Sequence, residues 1–175
     1  SVMYLQVIWA IGLSMIALAA LVALPRGLLA IFGLAIIGGH NLLDGVHFGA
    51  ESRMHIPWAI LHDRGWIEVS DGLRLRTSYP VLPWVGVIAL GYGLGPWFGR
   101  ASHPAQRQQR LLLAGAGTLL GFVLLRLLNG YGEAPWAAYP NGVQTLMSLF
   151  NITKYPPSLL FLALTLGTGL LLLRG

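Results

Sequence analysis

The chain has 175 residues, of which 55% are hydrophobic and 10% are charged, with a formal net charge of +5 and no cysteine. Soluble globular domains carry about 25% charged residues, so this composition excludes an ordinary soluble domain, and the lack of cysteine excludes disulfides and thiolate chemistry. The basic residues are scattered rather than gathered in one patch, which argues against a nucleic-acid partner. Composition therefore predicts a protein that lies among membrane lipids.

Five apolar segments approach the length of about 20 residues that a bilayer span needs. Backbone groups inside hydrocarbon must find their hydrogen bonds within the protein, which favours helices here. The sequence therefore predicts an all-α fold, a polytopic bundle of about five transmembrane helices, as a single transmembrane domain over residues 1–175. The predicted spans are 3–24, 27–45, 80–98, 111–129 and 156–173.

Glycines recur in the third and fourth predicted spans. Small residues let membrane helices approach closely, so we interpret these glycines as helix-packing positions. No strand precedes them, which argues against a nucleotide-binding loop. They are Gly86, Gly91, Gly93, Gly95, Gly115, Gly117 and Gly121.

The basic residues also predict an orientation. The segment 99–110, "GRASHPAQRQQR", concentrates positive charge without any acid, the pattern to which the positive-inside rule gives most weight. We therefore expect 99–110 to be cytoplasmic and the segments 46–79 and 130–155 to face the other side. The first of these contains "MHIPWAILHDRGWIEV", which is amphipathic enough to lie at the membrane interface or to cap the bundle; both interpretations stay open.

The second predicted span ends in polar residues. His40, Asp44 and His47 share one helix face if the helix continues that far, and ionisable groups at membrane depth usually face the protein interior or a cavity. An imidazole with a carboxylate one turn away is an acid–base pair, so these three residues are catalytic candidates. Solvation near the aqueous end, or hydrogen bonding between helices, explains them as well. Metal binding is a weaker alternative because the spacing is not specific, and no metal is predicted.

Arg126 lies inside the fourth predicted span. Its charge has three alternative uses: snorkelling to the interface, pairing with Asp44 or Glu133 to stabilise the bundle, or binding substrate. Pairing is the interpretation we favour.

The stretch "NITKYPPSLL", residues 151–160, precedes the last predicted span. Proline suits the first helical position and disfavours helix at the residue before it, so we expect the helix to start near Pro156. Lys154 would then lie beside the positive end of the helix dipole, which predicts an anion at this point. A lipid phosphate, Asp44 or Glu133, or an anionic substrate would satisfy it.

Several stretches together resemble a known family: "LQVIWAIGLSMIALAALVALPR", "GHNLLDGV", "YPVLPWVGVIALGYGLGPWF", "LLRLLNGYGEAPW" and "FNITKYPPSLLFLALTLG". They are similar to a bacterial inner-membrane family related to the catalytic region of heparan-alpha-glucosaminide N-acetyltransferase, in the same order over nearly the whole chain. The resemblance implies a multi-pass acyltransferase of the bacterial inner membrane. Acetyl-CoA would be its acyl donor, and the amine or hydroxyl of a carbohydrate or lipid-linked compound its acceptor.

If the chain is such an acyltransferase, its polar residues offer these substrate-binding candidates: Asn41, Arg126, Asn151, Lys154 and Tyr155. Members of the family begin with further spans that carry an arginine–glycine stretch and histidines, so we expect this chain to be the C-terminal portion of a longer protein. Two other function classes stay open. A transporter or flippase would show internal repeats, which we do not find in the sequence, and a non-catalytic scaffold would use its polar residues only to join helices.

Overall fold

The fold is taken from a computed structural model, which describes residues 1–70 and 72–174. The chain forms two units, Ser1–Leu94 and Gly95–Gly175. Most of the described residues are helical, as the composition predicts. The all-α prediction is too narrow, however, because the first unit also contains a three-stranded sheet.

The first unit has four α-helices among its described residues. They are α1 (Val7–Leu21), α2 (Arg26–Gly39), α3 (His55–Leu61) and α4 (Leu82–Gly93). Pro25 ends the first apolar run and caps α2, since a proline lacks the N–H that a continuing helix needs. A 3-10 turn, His40–Leu43, continues α2. Helix α2 packs along α4, and α1 contacts α4 as well.

Glycines bring α2 and α4 close together. A Cβ atom added to Gly33 would lie 2.6 Å from the carbonyl oxygen of Gly86, and one added to Gly86 would lie 2.8 Å from Cγ2 of Ile36. A Cβ on Gly93 would lie 2.8 Å from the Cβ of Ala30. The packing interpretation is therefore confirmed for Gly86 and Gly93.

The sheet of the first unit consists of β1 (Val2–Leu5), β2 (Trp66–Ser70) and β3 (Leu73–Thr77). Strand β3 is central: β1 pairs with it in parallel and β2 antiparallel. The prediction of a helix from residue 3 is therefore wrong for the first residues. The run "VMYL" is rich in residues that favour strands, and β3 supplies the hydrogen-bonding partner from more than 65 residues further along the chain.

The second unit contains α5 (Pro104–Leu128), α6 (Gly142–Phe150) and α7 (Leu159–Leu172), with a 3-10 turn at Gly95–Phe98. Helices α5 and α7 pack together through Gly115, where a Cβ would lie 2.8 Å from the side chain of Leu171. This confirms the packing interpretation for a third glycine. It is wrong for the other four within the described residues, where an added Cβ would meet nothing within 4 Å: Gly91, Gly95, Gly117 and Gly121.

Two helical segments of the described chain are long and apolar enough to cross a membrane, Arg26–Leu43 and Pro104–Leu128. The other apolar helices, α1, α4 and α7, have only 10–17 residues. All five predicted segments thus contain a helix, but three of the predicted spans are too long. Local breaks shorten them: a strand precedes α1, a 3-10 turn with Pro96 follows α4, and α7 starts at Leu159. Helix α5 begins earlier than predicted, so Arg107 and Arg110 lie on its first turns rather than in a loop.

Candidate functional site

The end of α2 determines how the polar residues that follow are arranged. The α-helix stops after two glycines, Gly38 and Gly39, and the N–H of His40 still bonds to the Ile36 carbonyl. The chain then tightens into the 3-10 turn, which ends before Asp44. Since the helix does not continue to His47, the predicted common face of three residues is wrong. His40 and Asp44 come together through the turn instead.

Helix α3 brings a further histidine to this turn. His62 follows α3 directly, and its backbone N–H bonds to the Trp58 carbonyl at 2.8 Å. Its Nε2 lies 3.0 Å from Oδ1 of Asp44. Asn41 donates from Nδ2 to the other carboxylate oxygen of Asp44 at 2.7 Å. Both oxygens of the Asp44 carboxylate are therefore held by side chains.

Contacts from α3 to the segment after the turn hold His62 in this position. Trp58 donates from Nε1 to the Val46 carbonyl at 2.7 Å, and His55 donates from Nδ1 to the Phe48 carbonyl at 2.9 Å. The ring of Trp58 also lies over His62, with 5.4 Å between centroids, and meets Phe48 edge-on. The indole thus packs against the protein, which supports a capping role for this segment over a free interfacial helix.

The cluster of His40, Asp44 and His62 is buried on one side and open on the other. His40 is 2% exposed and His62 is 1% exposed, while the side chain of Asp44 is 51% exposed. The two imidazole rings meet edge-on with centroids 6.1 Å apart. A molecule or ion that approaches from solvent would therefore meet Asp44 first.

Three imidazole nitrogens in this cluster lack a hydrogen-bond partner among the residues that the structure describes. They are Nδ1 and Nε2 of His40 and Nδ1 of His62. Buried polar atoms in proteins are nearly always paired, and each exception requires an explanation. The cluster thus offers lone pairs or N–H groups to a group that is not part of this chain.

His47 does not belong to this cluster. Its Nδ1 lies 3.0 Å from Oδ2 of Asp63, and its side chain is 68% exposed. Sequence reasoning predicted His40 and Asp44 but missed His62 and Asp63. The dipeptide "HD" at 62–63 was the available signal, and only the packing of α3 against the turn shows that it meets the end of α2.

In the second unit, Arg126 is buried, at 3% exposure. The predicted carboxylate partner and the predicted snorkelling are both wrong, because its guanidinium donates to backbone carbonyls instead. Nε donates to Leu149 at 2.7 Å, Nη1 to Ala134 at 2.9 Å, and Nη2 to Ser148 at 2.8 Å and to Asn151 at 3.1 Å. Arg126 therefore ties the segment 134–151 to α5.

The start of α7 differs from its prediction. The helix begins at Leu159, and its N-cap is Ser158, whose hydroxyl accepts from the N–H of Phe161 at 3.0 Å. The two prolines belong to the preceding turn, because proline at a helix start is allowed but a hydroxyl cap is more favourable. The Nζ of Lys154 lies 5.1 Å from the ring centroid of Tyr155. Asn151 lines a surface groove of about 760 Å³ beside α6.

Glu133 is the acid that meets this turn. Its carboxylate accepts from the N–H of Thr153 at 2.5 Å, from the Thr153 hydroxyl at 2.8 Å, and from the N–H of Ala134 at 2.9 Å. Burial raises the pKa of the Glu133 carboxyl, but these hydrogen bonds, together with one from the Ser158 hydroxyl, hold the pKa below its ordinary value of 4.5. Of the anions predicted near Lys154, the described structure places Glu133 in this turn.

We expect Glu133 to make the second unit sensitive to acid. A carboxyl whose pKa is lower in the folded than in the unfolded chain adds stability above its unfolded value, and this stability is lost as the pH falls through the folded value. The unfolding free energy should therefore fall below pH 4.5, and Glu133→Gln should remove part of that fall. Denaturant titrations over a pH series measure it. Glu51→Gln, at an exposed position, is the control and should keep the wild-type dependence of stability on pH. If Glu133→Gln also shows the wild-type pH dependence, the prediction is wrong.

The described residues form a mostly helical protein with two helical segments long and apolar enough to cross a membrane and with a cluster of two buried histidines and one aspartate. A family model, "Heparan-alpha-glucosaminide N-acetyltransferase, catalytic", matches residues 1–125. The chain belongs to this family, as its sequence motifs indicate. The match includes the whole cluster, and the family points to an acyltransferase of membrane type. No curated protein and no solved structure matches the chain.

Proposed function

We propose that this chain catalyses acyl transfer at a membrane, from an acyl-CoA, with acetyl-CoA as the donor of choice, to the amine or hydroxyl of a sugar. The observation that carries the proposal is the pair of the buried His62 and the half-exposed Asp44, at 3.0 Å, within the part of the chain that matches the acetyltransferase family. Acyl transfer needs a base at the attacking group, and histidine is the side chain most often used for this purpose.

In the proposed mechanism the pair works as a positioned base. The Asp44 carboxylate accepts a hydrogen bond from the Nε2–H of His62. The lone pair is then on Nδ1, the ring nitrogen that has no hydrogen-bond partner among the described residues. A carboxylate that orients an imidazole in this way also stabilises the imidazolium that forms. Nδ1 takes the proton of the attacking amine or hydroxyl while the new C–N or C–O bond forms. The C–S bond then breaks, and the proton passes to the departing thiolate of coenzyme A.

The other predicted site residues take supporting roles in this proposal. His40, beside the pair, is the second acid–base candidate or the nucleophile of a two-step route through an acyl-histidine, and Asn41 orients Asp44. His47 remains a predicted catalytic residue that acts with Asp63. In the second unit, Asn151, Lys154 and Tyr155 are proposed to hold an anionic part of the acceptor or a lipid, with Arg126 supporting their segment.

We place the protein, as a further part of the proposal, in the bacterial inner membrane as a multi-pass protein with residues 99–110 in the cytoplasm. Under this orientation Lys154 lies on the side opposite the cytosol. Its position therefore suits the carbohydrate or lipid-linked acceptor better than the phosphates of coenzyme A. The two apolar helical segments that are long enough to span the bilayer support the membrane location.

The reaction is tested by thiol release. The protein, as its gene encodes it, is purified in lipid nanodiscs and supplied with acetyl-CoA and glucosamine, and free coenzyme A is titrated with a thiol reagent. We expect His62→Gln to lower the rate by about 100-fold or more, the usual contribution of a general base. His103→Gln is the control, since His103 is an exposed histidine at the N-cap position of α5, in the second unit.

Two outcomes would remove the proposal. A folded protein that releases no thiol with any amine or hydroxyl acceptor is not an acyltransferase, and a His62→Gln variant with the wild-type rate does not use this base. Uptake of a sugar by proteoliposomes without any acyl donor would favour the transporter. If substitutions of His40, Asp44 and Lys154 change the thermal stability and the protein shows no chemical activity, the non-catalytic scaffold would be favoured.

A further inference from the structure

We infer that His40, Asp44 and His62 form a binding site for a divalent transition-metal ion, with Zn²⁺ as the best match. Each residue contributes one ligand atom, and these three atoms all lie within 4.8 Å of one another. The shortest separation is the 3.0 Å between Asp44 Oδ1 and His62 Nε2. Tetrahedral zinc with bonds of about 2.0–2.1 Å separates its ligand atoms by about 3.3 Å. His62 and Asp44 already meet this spacing, so only His40 has to move inward.

The state of His40 is an independent reason for the inference. The acid–base proposal uses the pair of Asp44 and His62 and leaves His40 without a necessary role. Yet His40 is 2% exposed, and neither of its ring nitrogens has a hydrogen-bond partner in the described part of the chain. An unsatisfied buried polar group costs about 1–3 kcal/mol. A metal ion between the three side chains would give a ring nitrogen of His40 the partner that the chain itself does not provide.

The donor atoms favour zinc over the commoner divalent ions. Two imidazole nitrogens and one carboxylate oxygen are the ligands of catalytic zinc sites, in which the fourth position is left to water or substrate. Calcium takes six to eight oxygen ligands, and magnesium prefers oxygen ligands and waters. A cluster with two nitrogens and one carboxylate satisfies neither of these ions, whereas imidazole suits zinc, copper, iron and nickel.

The surroundings of the cluster are also those of a metal site. Asn41 donates to the second oxygen of Asp44 at 2.7 Å, the kind of outer contact that orients a ligating carboxylate. The two histidines are buried, while the side chain of Asp44 is 51% exposed. An ion can therefore enter along the aspartate and reach the imidazoles behind it. Zinc needs the lone pair of His62 Nε2, the atom that carries a proton in the acid–base proposal, so zinc binding and that form of the base exclude each other.

The test measures binding directly and does not depend on acyl transfer. The intact protein in nanodiscs is stripped of metal with a chelator, freed of the chelator and titrated with ZnCl₂ by calorimetry, with MgCl₂ as a comparison. We expect one Zn²⁺ per chain and no comparable binding of Mg²⁺. Binding of Co²⁺ in place of zinc should give the intense visible absorption of a tetrahedral site.

Substitutions assign the ion to the cluster. His40→Ala, Asp44→Asn and His62→Ala should each weaken zinc binding by at least about 10- to 100-fold, since even the loss of an outer contact has effects of this size. His103→Ala is the control, since His103 is an exposed histidine at the N-cap position of α5, in the second unit, and is not a member of the cluster. It should bind zinc as the wild type does. Because loss of a buried histidine can unfold a protein, His40→Gln is a second variant, and circular dichroism checks each one.

The outcomes separate this inference from the proposed function. Wild-type zinc affinity in folded His40→Ala and His40→Gln, or loss of binding in His103→Ala alone, would show adventitious surface binding and overturn the site. Absence of any zinc binding would overturn it as well, even in a protein that transfers acyl groups. Stoichiometric binding that requires His40 would establish the site even if no acyl transfer is found.

Discussion

Replacement of Gly33 by alanine is expected to destabilise the first unit by about 3 kcal/mol or more, the upper end of the cost of overpacking. The added Cβ would lie 2.6 Å from the carbonyl oxygen of Gly86 and 2.6 Å from the amide nitrogen of Leu90. Both neighbours are backbone atoms of α4, so no side chain can rotate away, and the two helices must separate. Thermal and denaturant unfolding of the purified protein measure the loss.

Gly38→Ala is the matched control for this experiment. Gly38 lies on the same helix, α2, and a Cβ there would meet nothing within 4 Å. The alanine should leave stability unchanged or raise it by up to about 1 kcal/mol, because glycine is the poorer helix former. If both variants unfold alike, glycine contacts do not set the distance between α2 and α4.

The second large effect is expected at Arg126. Its guanidinium donates four hydrogen bonds to the carbonyls of Ala134, Ser148, Leu149 and Asn151. Hydrogen bonds to charged groups contribute about 1.5–3 kcal/mol each, and buried carbonyls left without a donor cost about 1–3 kcal/mol. These terms are not additive, so we expect Arg126→Gln to cost about 4 kcal/mol. Hydrogen exchange should also become faster in the segment 134–151, which the guanidinium holds.

Arg126→Lys distinguishes the geometry of the side chain from its charge. A lysine keeps the charge but lacks the planar fork of five donors, so it should recover only a small part of the loss. Arg110→Gln, on an exposed face of the same helix, is the control for loss of a positive charge. Wild-type stability in Arg126→Lys would show that the carbonyl contacts do not stabilise the segment.

Long apolar runs were enough to predict where the helices of this chain lie. Each of the five predicted segments contains a helix, and three of the seven singled-out glycines lie at helix contacts. The ends of the helices were less predictable, because they depend on single local residues. Ser158 rather than Pro156 caps α7, and α5 extends back to Pro104 through the polar residues that precede its apolar run.

Two of the three residues of the cluster, His40 and Asp44, could be predicted from the sequence. The spacing of His40 and Asp44 indicated an acid–base pair, although a 3-10 turn and not a continuous helix places them together. His62 could not be inferred, because it lies 18 residues beyond Asp44 in a segment interpreted by its amphipathic pattern. The described contacts of Trp58 and His55 with residues 46 and 48 decide its position. Such contacts between distant side chains leave no periodic signal in a single sequence.

Hydrophobicity and spacing along the chain therefore determined the helical class, the family and two members of the cluster. These properties are local, since apolar runs, periodic patterns and short motifs can each be recognised within a short window of the sequence. The sheet, the third member of the cluster and the partners of Arg126 depend on which distant segments meet, and that is decided by tertiary packing. At "NITKYPPSLL", the positive charge and the prolines were visible in sequence. The acid that binds this turn, Glu133, became clear only when a segment 20 residues earlier was seen to fold against it.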